Sequence, residues 1–245
     1  HLVARHGVRG LLLASRRGEA DPVLRALVEE LRTAGDGRVE VRAEACDLAD
    51  AAAVDRLVAG VDPARPLTGV FHAAGTLDDA VLANLTDERL DRVLRPKADA
   101  AAHLHRATEG LPLAAFVLFS SVAGVLGNAG QAGYAAANAH LDALAQRRTS
   151  AGLPGTSLAW GLWETDDTSG MAGSLDTAAR ARIDRLGIRP LSTAEGLDLL
   201  DAALALGDKA PALLVPARFD TAALARRPGG PPPLLADLVP ARRAT

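Results

Sequence analysis

The stretch from Leu118 to Ala139 reads LFSSVAGVLGNAGQAGYAAANA, and it is the clearest indication of the fold in this chain. It continues an apolar run that starts at Ala114, which is the pattern of a strand buried in a sheet. Two serines and a glycine-rich loop follow, and the alanine-rich segment from Gly130 to about Ala151 is typical of a helix. A buried strand followed by a loop and a helix is the repeating unit of a parallel sheet.

Polar side chains in this unit suit chemistry on a carbonyl group. Ser121 follows the strand, while Tyr134 and Asn138 are four residues apart and therefore share one helix face. Serine and tyrosine hydroxyls can donate to an oxygen on which negative charge grows during hydride attack. A tyrosine is a weak acid and needs a nearby cation, which Lys97 in the preceding helix can supply. Alternatively, Tyr134 is an ordinary core residue of an amphipathic helix.

Strand and helix patterns alternate along the rest of the chain, which predicts an α/β fold with a mostly parallel sheet and helices on both faces. Helices are predicted to begin at Asp21-Pro22, at Asp50, at Thr86 and at the capping box that starts at Ser192. The helix from Thr86 is predicted to run as far as Gly110. The predicted strands are 11–15, 39–46, 67–72, 114–119, 156–160 and 212–215.

Ligands of such sheets bind at the carboxyl ends of the strands, so residues that follow each strand are candidates. Arg16 and Arg17 could bind a phosphate group, or they form a solvated basic loop. Asp47 could accept a hydrogen bond from a base amine, or it caps the next turn. The segment 73–75 (AAG) would let a flat group approach the backbone, or it is a tight turn. His72 alone is more often a packed histidine than a catalytic one.

Composition limits the class of protein. The 245 residues are 49% apolar and 23% charged, which suits one large globular α/β domain. A net charge of −3 and an aromatic content of 3% argue against nucleic-acid binding. Cys46 is the single cysteine, so an internal disulfide is excluded, and no cysteine and histidine residues have zinc-site spacing. The sequence shows neither a membrane-helix pattern nor a signal peptide, and we expect a cytoplasmic location.

Several motifs together resemble the short-chain dehydrogenase/reductase superfamily, and within it the ketoreductase domains of modular type I polyketide synthases. The superfamily usually has a lysine four residues after its catalytic tyrosine, where this chain has Asn138. In the polyketide-synthase branch the lysine comes from the preceding helix, and Lys97 matches that exchange. The resemblance extends to about Arg218, and its motifs are SRRG (15–18), CDLAD (46–50), FHAAGTLDD (71–79), LFSSVAGVLGNAGQAGYAAANA (118–139) and AWGLW (159–163).

The resemblance implies a Rossmann-type doubly wound parallel sheet and the NADPH-dependent reduction of a 3-ketoacyl group on an acyl carrier protein to a D-3-hydroxyacyl group. Tyr134 would protonate the nascent alkoxide, and Ser121 would hold the substrate carbonyl. Lys97 would lower the pKa of the tyrosine and steady the cofactor ribose. Asn138 would hold the proton relay. No metal is implied.

The resemblance also implies cofactor contacts. Arg16 and Arg17, which follow Ser15, would bind the 2′-phosphate, and this would select NADPH over NADH. The adenine pocket would be lined by Asp47 and Leu48. The full set of implied cofactor-binding residues is Ser15, Arg16, Arg17, Asp47, Leu48, Ala73, Ala74, Gly75, Lys97 and Tyr134.

Stereochemical control is implied by the segment 77–79, which resembles the LDD motif of B-type ketoreductases. Leu126 stands where A-type members have a tryptophan, and Ala137 stands where epimerising B-type members have a proline. The resemblance therefore implies a B1-like enzyme that gives the D-configured hydroxyl group, although two aspartates in a loop can simply form a turn. The residues expected at the substrate are Leu77, Asp78, Asp79, Leu126, Gln131 and Met171.

Residues 1–218 are predicted to be a catalytic subdomain with a lid over about 164–187, and the Pro/Gly-rich residues 219–245 a linker toward a carrier domain. Implied partners are an acyl carrier domain bearing a phosphopantetheine-linked 3-ketoacyl chain, an N-terminal structural subdomain and other synthase domains. The family's first strand and glycine-rich pyrophosphate turn are not found in this sequence. We expect a chain starting at His1 to be inactive and poorly stable by itself.

Other functions compete with this hypothesis. A catalytically silent docking module would lack turnover, but such modules tend to lose polar catalytic groups, and the four are complete here. A free-standing fatty-acid-type reductase is disfavoured by the Lys97/Asn138 exchange and by the proline-rich tail. A Rossmann-like methyltransferase would leave Tyr134 and Ser121 without a role.

Overall fold

The computed structural model describes residues 1–34, 37–164 and 177–239, and it confirms the predicted α/β fold with a parallel sheet. The strands are β1 (Gly10–Ser15), β2 (Glu40–Ala45), β3 (Gly69–His72), β4 (Ala115–Ser121), β5 (Thr156–Trp160), β6 (Ile188–Arg189), β7 (Leu213–Leu214) and β8 (Arg218–Phe219). The α-helices are α1 (Leu2–His6), α2 (Pro22–Ala34), α3 (Ala51–Ala59), α4 (Asp87–Leu94), α5 (Ala100–Thr108), α6 (Val122–Leu126), α7 (Ala132–Ser150), α8 (Thr177–Arg185), α9 (Thr193–Ala205) and α10 (Thr221–Arg226).

The central sheet contains four parallel strands in the order β3, β4, β5, β7. His72 lies beside Leu118, and Ser121 lies beside Trp160, so the carboxyl ends of three strands meet at one edge. Side chains that follow these ends are therefore brought together, as expected for a parallel sheet.

A second parallel ladder joins β1 to β2, in register from Gly10 opposite Glu40 to Ser15 opposite Ala45. Within the described residues it is not hydrogen-bonded to the central sheet. Both ladders place their strand ends before a turn and a helix, as the sequence patterns predict.

Helix starts agree with the capping predictions. The Asp50 side chain accepts from the backbone N–H groups of Ala52 and Ala53 at the start of α3. Ser192 and Glu195 form the predicted capping box at the start of α9. None of the helices within the described ranges is both long enough and apolar enough to cross a membrane.

The main core lies between the central sheet and its helices. Val117 and Leu118 of β4 are at most 1% exposed, and Leu141 and Ala145 of α7 are fully buried against the sheet. The helix α7 packs on both β4 and β5. The helix that carries the candidate tyrosine is therefore fixed to the strand that carries the candidate serine.

The long helix predicted from Thr86 to Gly110 is interrupted. A π-helical turn, Arg95–Asp99, separates α4 from α5. Pro96 lies in its first turn and has no backbone N–H to donate, which disfavours regular α-helical bonding there. The predicted long helix is thus present from Asp87 to Thr108, but its hydrogen-bond register changes at this turn, which the sequence analysis did not predict.

The structure also differs from the predicted linker between residues 219 and 239. β6 and β8 form a short antiparallel ladder, α10 follows, and a 3₁₀ segment covers Pro233–Leu238. Leu224 and Leu235 are buried. Gly187, with φ +74°, lets the chain pass close to Leu224, because a Cβ there would lie 2.8 Å from the leucine Cγ. The proline- and glycine-rich segment 219–239 thus includes short helical and strand elements that pack on the domain.

Candidate active site

A cavity of ≈ 310 Å³ opens at the carboxyl ends of β4 and β5. Three aromatic rings form one wall: Trp160 lies 5.6 Å from Phe119 and 4.9 Å from Trp163, measured between ring centroids. The cavity is lined by Ala73, Leu77, Phe119, Ser120, Ser121, Val122, Ala123, Leu126, Gly127, Asn128, Gln131, Tyr134, Trp160, Gly161, Leu162, Trp163, Ile183, Leu186 and Ile188. A mostly apolar cavity with a few polar groups is typical of a small-molecule site.

Ser121 is placed by the end of β4 and the start of α6. Its Oγ accepts from the backbone N–H of Ala123 at 3.2 Å, which caps α6 and fixes the hydroxyl at the cavity wall. A hydroxyl oxygen that accepts this bond keeps its own hydrogen free for another acceptor. Ser121 can therefore donate to a carbonyl oxygen in the cavity.

Tyr134 lies in the first turn of α7 and lines the same cavity. Burial raises the pKa of its hydroxyl, while the polar side chains of Ser121 and Asn138 lower it and the charge of Asp79 raises it. The net direction is upward, so the phenol holds its proton at neutral pH. A protonated phenol at a cavity wall can serve as a proton donor.

Lys97 lies behind Tyr134, in the π-helical turn, and is only 1% exposed. Its Nζ donates to the backbone oxygen of Phe119 at 2.8 Å and lies 5.6 Å from the centroid of the Tyr134 ring. Burial lowers the pKa of the ammonium group to about 8, and the charge of Asp142 opposes this shift. A cation held there favours the ionised form of Tyr134 during proton transfer.

Asn138 is fully buried one turn after Tyr134. Its Nδ2 donates to the backbone oxygen of Tyr134 at 2.7 Å, and its own backbone oxygen accepts from the Ser120 hydroxyl at 3.3 Å. Its Oδ1 accepts no hydrogen bond within the described residues. Gly124 allows α6 to lie this close, because a Cβ there would be 3.0 Å from the Asn138 Cβ.

The segment 77–79 joins the cavity to its surroundings. Leu77 lines the cavity, as does Leu126 from α6. Asp78 pairs with Arg89 and with Arg92, the latter at 2.8 Å, so it anchors the loop to α4. The two aspartates thus have different neighbours.

Asp79 is hydrogen-bonded to the cavity wall, whereas Asp78 is paired with α4. The Oδ2 of Asp79 accepts from Nε2 of Gln131 at 2.8 Å, and the Gln131 oxygen accepts from Asn128 at 2.8 Å. Gln131 and Asn128 both line the cavity, so this chain ties the 77–79 loop to the wall beside Tyr134. Met171 lies outside the described residues.

Two of the residues predicted to hold a cofactor, Ala73 and Tyr134, line the cavity, and Lys97 lies beside the tyrosine ring. The others lie at or just after the ends of β1, β2 and β3. Ser15 accepts from the backbone N–H of Gly18 at 3.0 Å, and Arg17 pairs with Asp21. Asp47 accepts from the backbone N–H of Ala49 at 3.0 Å, which is the turn-capping alternative.

Other members of that set have simpler surroundings. Leu48 packs partly into the main core, and the exposed residues Ala73 and Ala74 lead away from β3 with half-buried Gly75. Arg16 is exposed and forms no hydrogen bond or ion pair with a described residue.

The family model described as the KR domain matches residues 1–165. The chain belongs to the ketoreductase domains of modular polyketide synthases. It is 56% identical to the polyketide synthase GfsB of Streptomyces halstedii over 248 residues, which include 99% of this chain and 4% of that protein. The ketoreductase domain thus corresponds to a small part of that relative's length.

Solved ketoreductases share the fold. The ketoreductase from the first module of phoslactomycin biosynthesis in Streptomyces sp. HK803 superposes with a TM-score of 0.82 at 33% identity, covering 99% of this chain and 54% of that chain. A structure of A-type ketoreductases from a modular polyketide synthase gives 0.77 at 42% identity, over 89% of this chain and 45% of that chain. The ketoreductase domain is therefore an oxidoreductase of the short-chain type, whose fold implies a nicotinamide cofactor.

Two buried residues of this ketoreductase domain, His72 and Asp142, have no role predicted from the sequence. His72 is buried at the end of β3, with Nε2 3.1 Å from the backbone oxygen of Lys97. Asp142, two turns after Tyr134 on α7, accepts from the Ser157 hydroxyl at 2.6 Å. Asp142 follows Asn138 by four residues, so the sequence could have predicted that it shares a helix face with Tyr134 and Asn138. The contact of His72 with the Lys97 backbone could not be predicted in this way, because it depends on the π-helical turn.

Proposed function

We propose that this ketoreductase domain uses NADPH to reduce a 3-ketoacyl thioester on an acyl carrier protein to the D-3-hydroxyacyl thioester. The observation that carries the proposal is that Ser121 and Tyr134 line one apolar cavity while Lys97 lies directly behind the tyrosine ring. Two hydroxyl donors backed by a cation match the charge that develops on a ketone oxygen during hydride attack.

The proposed reaction gives separate tasks to Ser121, Tyr134 and Lys97. The Ser121 hydroxyl donates to the ketone oxygen and orients it. Bound NADPH would supply the hydride to the carbonyl carbon. Tyr134 then gives its proton to the oxygen, so that the alkoxide becomes the hydroxyl group and the phenol becomes a phenolate. Lys97 stabilises that phenolate by its charge and, with a pKa of about 8, can return a proton to it.

The role proposed for Asn138 is to keep this relay in order. Its amide nitrogen holds the α7 backbone at Tyr134, and its free Oδ1 offers a buried acceptor in the same region. A buried acceptor without a partner is costly, which fits a site where a proton-carrying group is bound during the reaction. Asn138 would therefore link the tyrosine to the source of protons.

The residues present fit NADPH. The unpaired Arg16 guanidinium beside Arg17 suits a phosphate, and phosphate recognition separates NADPH from NADH. Lys97 has three N–H donors and uses one on Phe119, which leaves donors for ribose hydroxyls. Asp47, Leu48 and the 73–75 segment would line the remainder of the cofactor site, with Ser15 shaping the turn that carries the arginines.

Support for the D product comes from the 77–79 loop. Leu77 contributes an apolar side chain to the cavity, and the Asp79–Gln131 hydrogen bond fixes this loop against the wall that holds Tyr134. Leu126 occupies the wall position at which a larger tryptophan would narrow the cavity. We propose that these residues set the face of the ketone that is presented to the cofactor.

The domain arrangement is part of the same proposal. Residues 1–218 would form the catalytic subdomain, residues from about 164 to 187 the lid over the cavity, and residues 219–245 the connection toward the carrier domain. Ile183 and Leu186 of the proposed lid line the cavity, which supports a lid role for its described part. An N-terminal structural subdomain would be a further partner.

The test is an NADPH-oxidation assay on the intact domain with a 3-ketoacyl thioester, comparing wild type with Tyr134→Phe. We expect kcat to fall by roughly 10²- to 10⁴-fold in Tyr134→Phe, because the ring is retained and only the proton donor is lost. Chiral analysis of the wild-type product should show the D-3-hydroxyacyl form.

Each outcome has a distinct meaning. An L product would overturn the proposed stereochemistry and leave the reductase. Equal turnover with NADH would overturn the proposed role of the arginines. A well-folded wild type without turnover would favour the silent docking module instead.

A further inference from the structure

His72 is a buried titratable residue to which the proposed reaction gives no task. It ends β3, is 2% exposed and lies with Nε2 3.1 Å from the backbone oxygen of Lys97. A carbonyl oxygen only accepts hydrogen bonds, so the ring nitrogen that faces it carries the proton. Burial lowers the pKa of this imidazole to about 4, with a smaller contribution from the charge of Lys97, so the ring is neutral near neutral pH.

The carbonyl that His72 contacts belongs to an unusual turn. Lys97 lies in the middle of the π-helical Arg95–Asp99 segment, where Pro96 cannot donate a backbone hydrogen bond. Backbone N–H groups at the end of the turn donate to the oxygens of Arg95 and Lys97. A carbonyl has two lone pairs, and His72 takes the second one of Lys97. The imidazole therefore ties the π turn to the end of β3.

Lys97 is thus held at both ends. Its backbone is bonded to His72 of β3, and its Nζ is bonded to Phe119 of β4 at 2.8 Å. β3 and β4 are neighbours in the central sheet, so both anchors come from one rigid unit. Each residue turns an α-helix by about 100°, and a return of the π turn to regular α geometry would rotate Lys97 away from Tyr134.

We propose that His72 is a positioning residue that fixes the π-helical turn, so that the Lys97 ammonium group lies beside Tyr134. The effect on catalysis rests on the proposed function, whereas the effect on the placement of Lys97 does not. His72 reaches the site only through the Lys97 backbone: the cavity lining includes its neighbour Ala73 and not His72.

Two substitutions separate positioning from packing. His72→Leu keeps an apolar side chain of similar size and removes the donor. His72→Gln places an amide nitrogen the same number of bonds from Cα as Nε2 and keeps the donor. The readout is an NMR pH titration of the intact domain with isotope-labelled lysine, in which the Lys97 signal is identified by its loss in Lys97→Arg. Exposed Lys209 is the internal control.

We expect the Lys97 signal to titrate near pH 8 in wild type and in His72→Gln. In His72→Leu its midpoint should rise, because a released side chain is better solvated and burial no longer disfavours the ammonium form. In the reductase assay, kcat should fall about tenfold in His72→Leu and at most about threefold in His72→Gln, with KM for the ketone unchanged.

An unchanged Lys97 titration in folded His72→Leu would overturn the proposal, and so would equal shifts in the Leu and Gln variants. If His72→Leu does not fold, His72→Asn replaces it, since its amide is one bond too short to reach the same oxygen. A wild type without turnover would overturn the proposed function alone, because the titration of Lys97 is read without substrate.

Discussion

The central sheet and the β1–β2 ladder differ in how firmly they hold their side chains. Every residue of β1 after Gly10 is partly exposed, and the hydrophobic cluster beside β1 and β2 has only four buried residues, all valines. In contrast, β4 contains three consecutive residues that are at most 1% exposed. The side chains proposed to be catalytic belong to the central sheet and its helices, and the arginines proposed to bind phosphate follow a strand of the ladder. Proton transfer needs fixed geometry, while charge recognition tolerates exposed, mobile side chains.

The largest expected difference between the two regions is in stability. Leu118→Ala, at a fully buried position of β4, should lower the free energy of unfolding by about 2–5 kcal/mol, because the removed atoms leave a cavity. Leu11→Ala, in partly exposed β1, should cost only about 1 kcal/mol. Urea denaturation of the intact domain, followed by circular dichroism, measures both. Equal losses would show that the ladder is as tightly packed as the central sheet.

A smaller effect is expected from the negative charge of Asp142 in the central region, and it concerns the pKa of Lys97. The Asp142 carboxylate raises the pKa of Lys97 against the lowering by burial, so Asp142→Asn should move that pKa below about 8. Lys97 would then lose its proton at lower pH, and the alkaline limb of kcat should shift toward neutral pH. The lysine NMR titration and a kcat–pH profile measure this. Asp198→Asn, on the exposed face of α9, is the matched control and should shift neither.

The smallest effect is expected from Arg16, which follows β1 of the ladder, and it concerns the KM for the cofactor. Arg16→Gln should raise KM for NADPH about tenfold and leave KM for NADH unchanged, because a charge-assisted contact to a phosphate is lost. Steady-state kinetics with both cofactors measure this, and the exposed Arg5→Gln on α1 is the control. A loss of stability in Arg16→Gln, or an equal rise of KM for both cofactors, would contradict the division of roles between the two regions.

Much of this arrangement is predictable from local sequence signals. Aspartate, threonine and serine caps mark the starts of α3, α4 and α9, because their side chains satisfy free backbone N–H groups at those helix ends. The apolar run before Ser121 similarly predicts β4 and the position of the serine at its end.

Features that depend on contacts between distant segments were not predictable in this way. Pro96 signals a disturbance of the helix, but the π turn is set by contacts such as the one from His72, 25 residues away. The pairing of Asp142 with Ser157 joins α7 to β5. β6, β8 and α10 are too short for periodicity, and their positions depend on Leu224 packing at Gly187.

That last contact has a consequence for engineering of assembly lines. Asp220 donates its backbone N–H to Gly187 at 2.8 Å and accepts from Arg189 at 2.9 Å, so the residues after Arg218 are bonded to the segment that borders the cavity. A fusion junction placed at residue 218 would remove Asp220, which bonds to Gly187 and Arg189, along with the buried Leu224 and Leu235. Reductase exchange between synthases should therefore place the splice site beyond Val239.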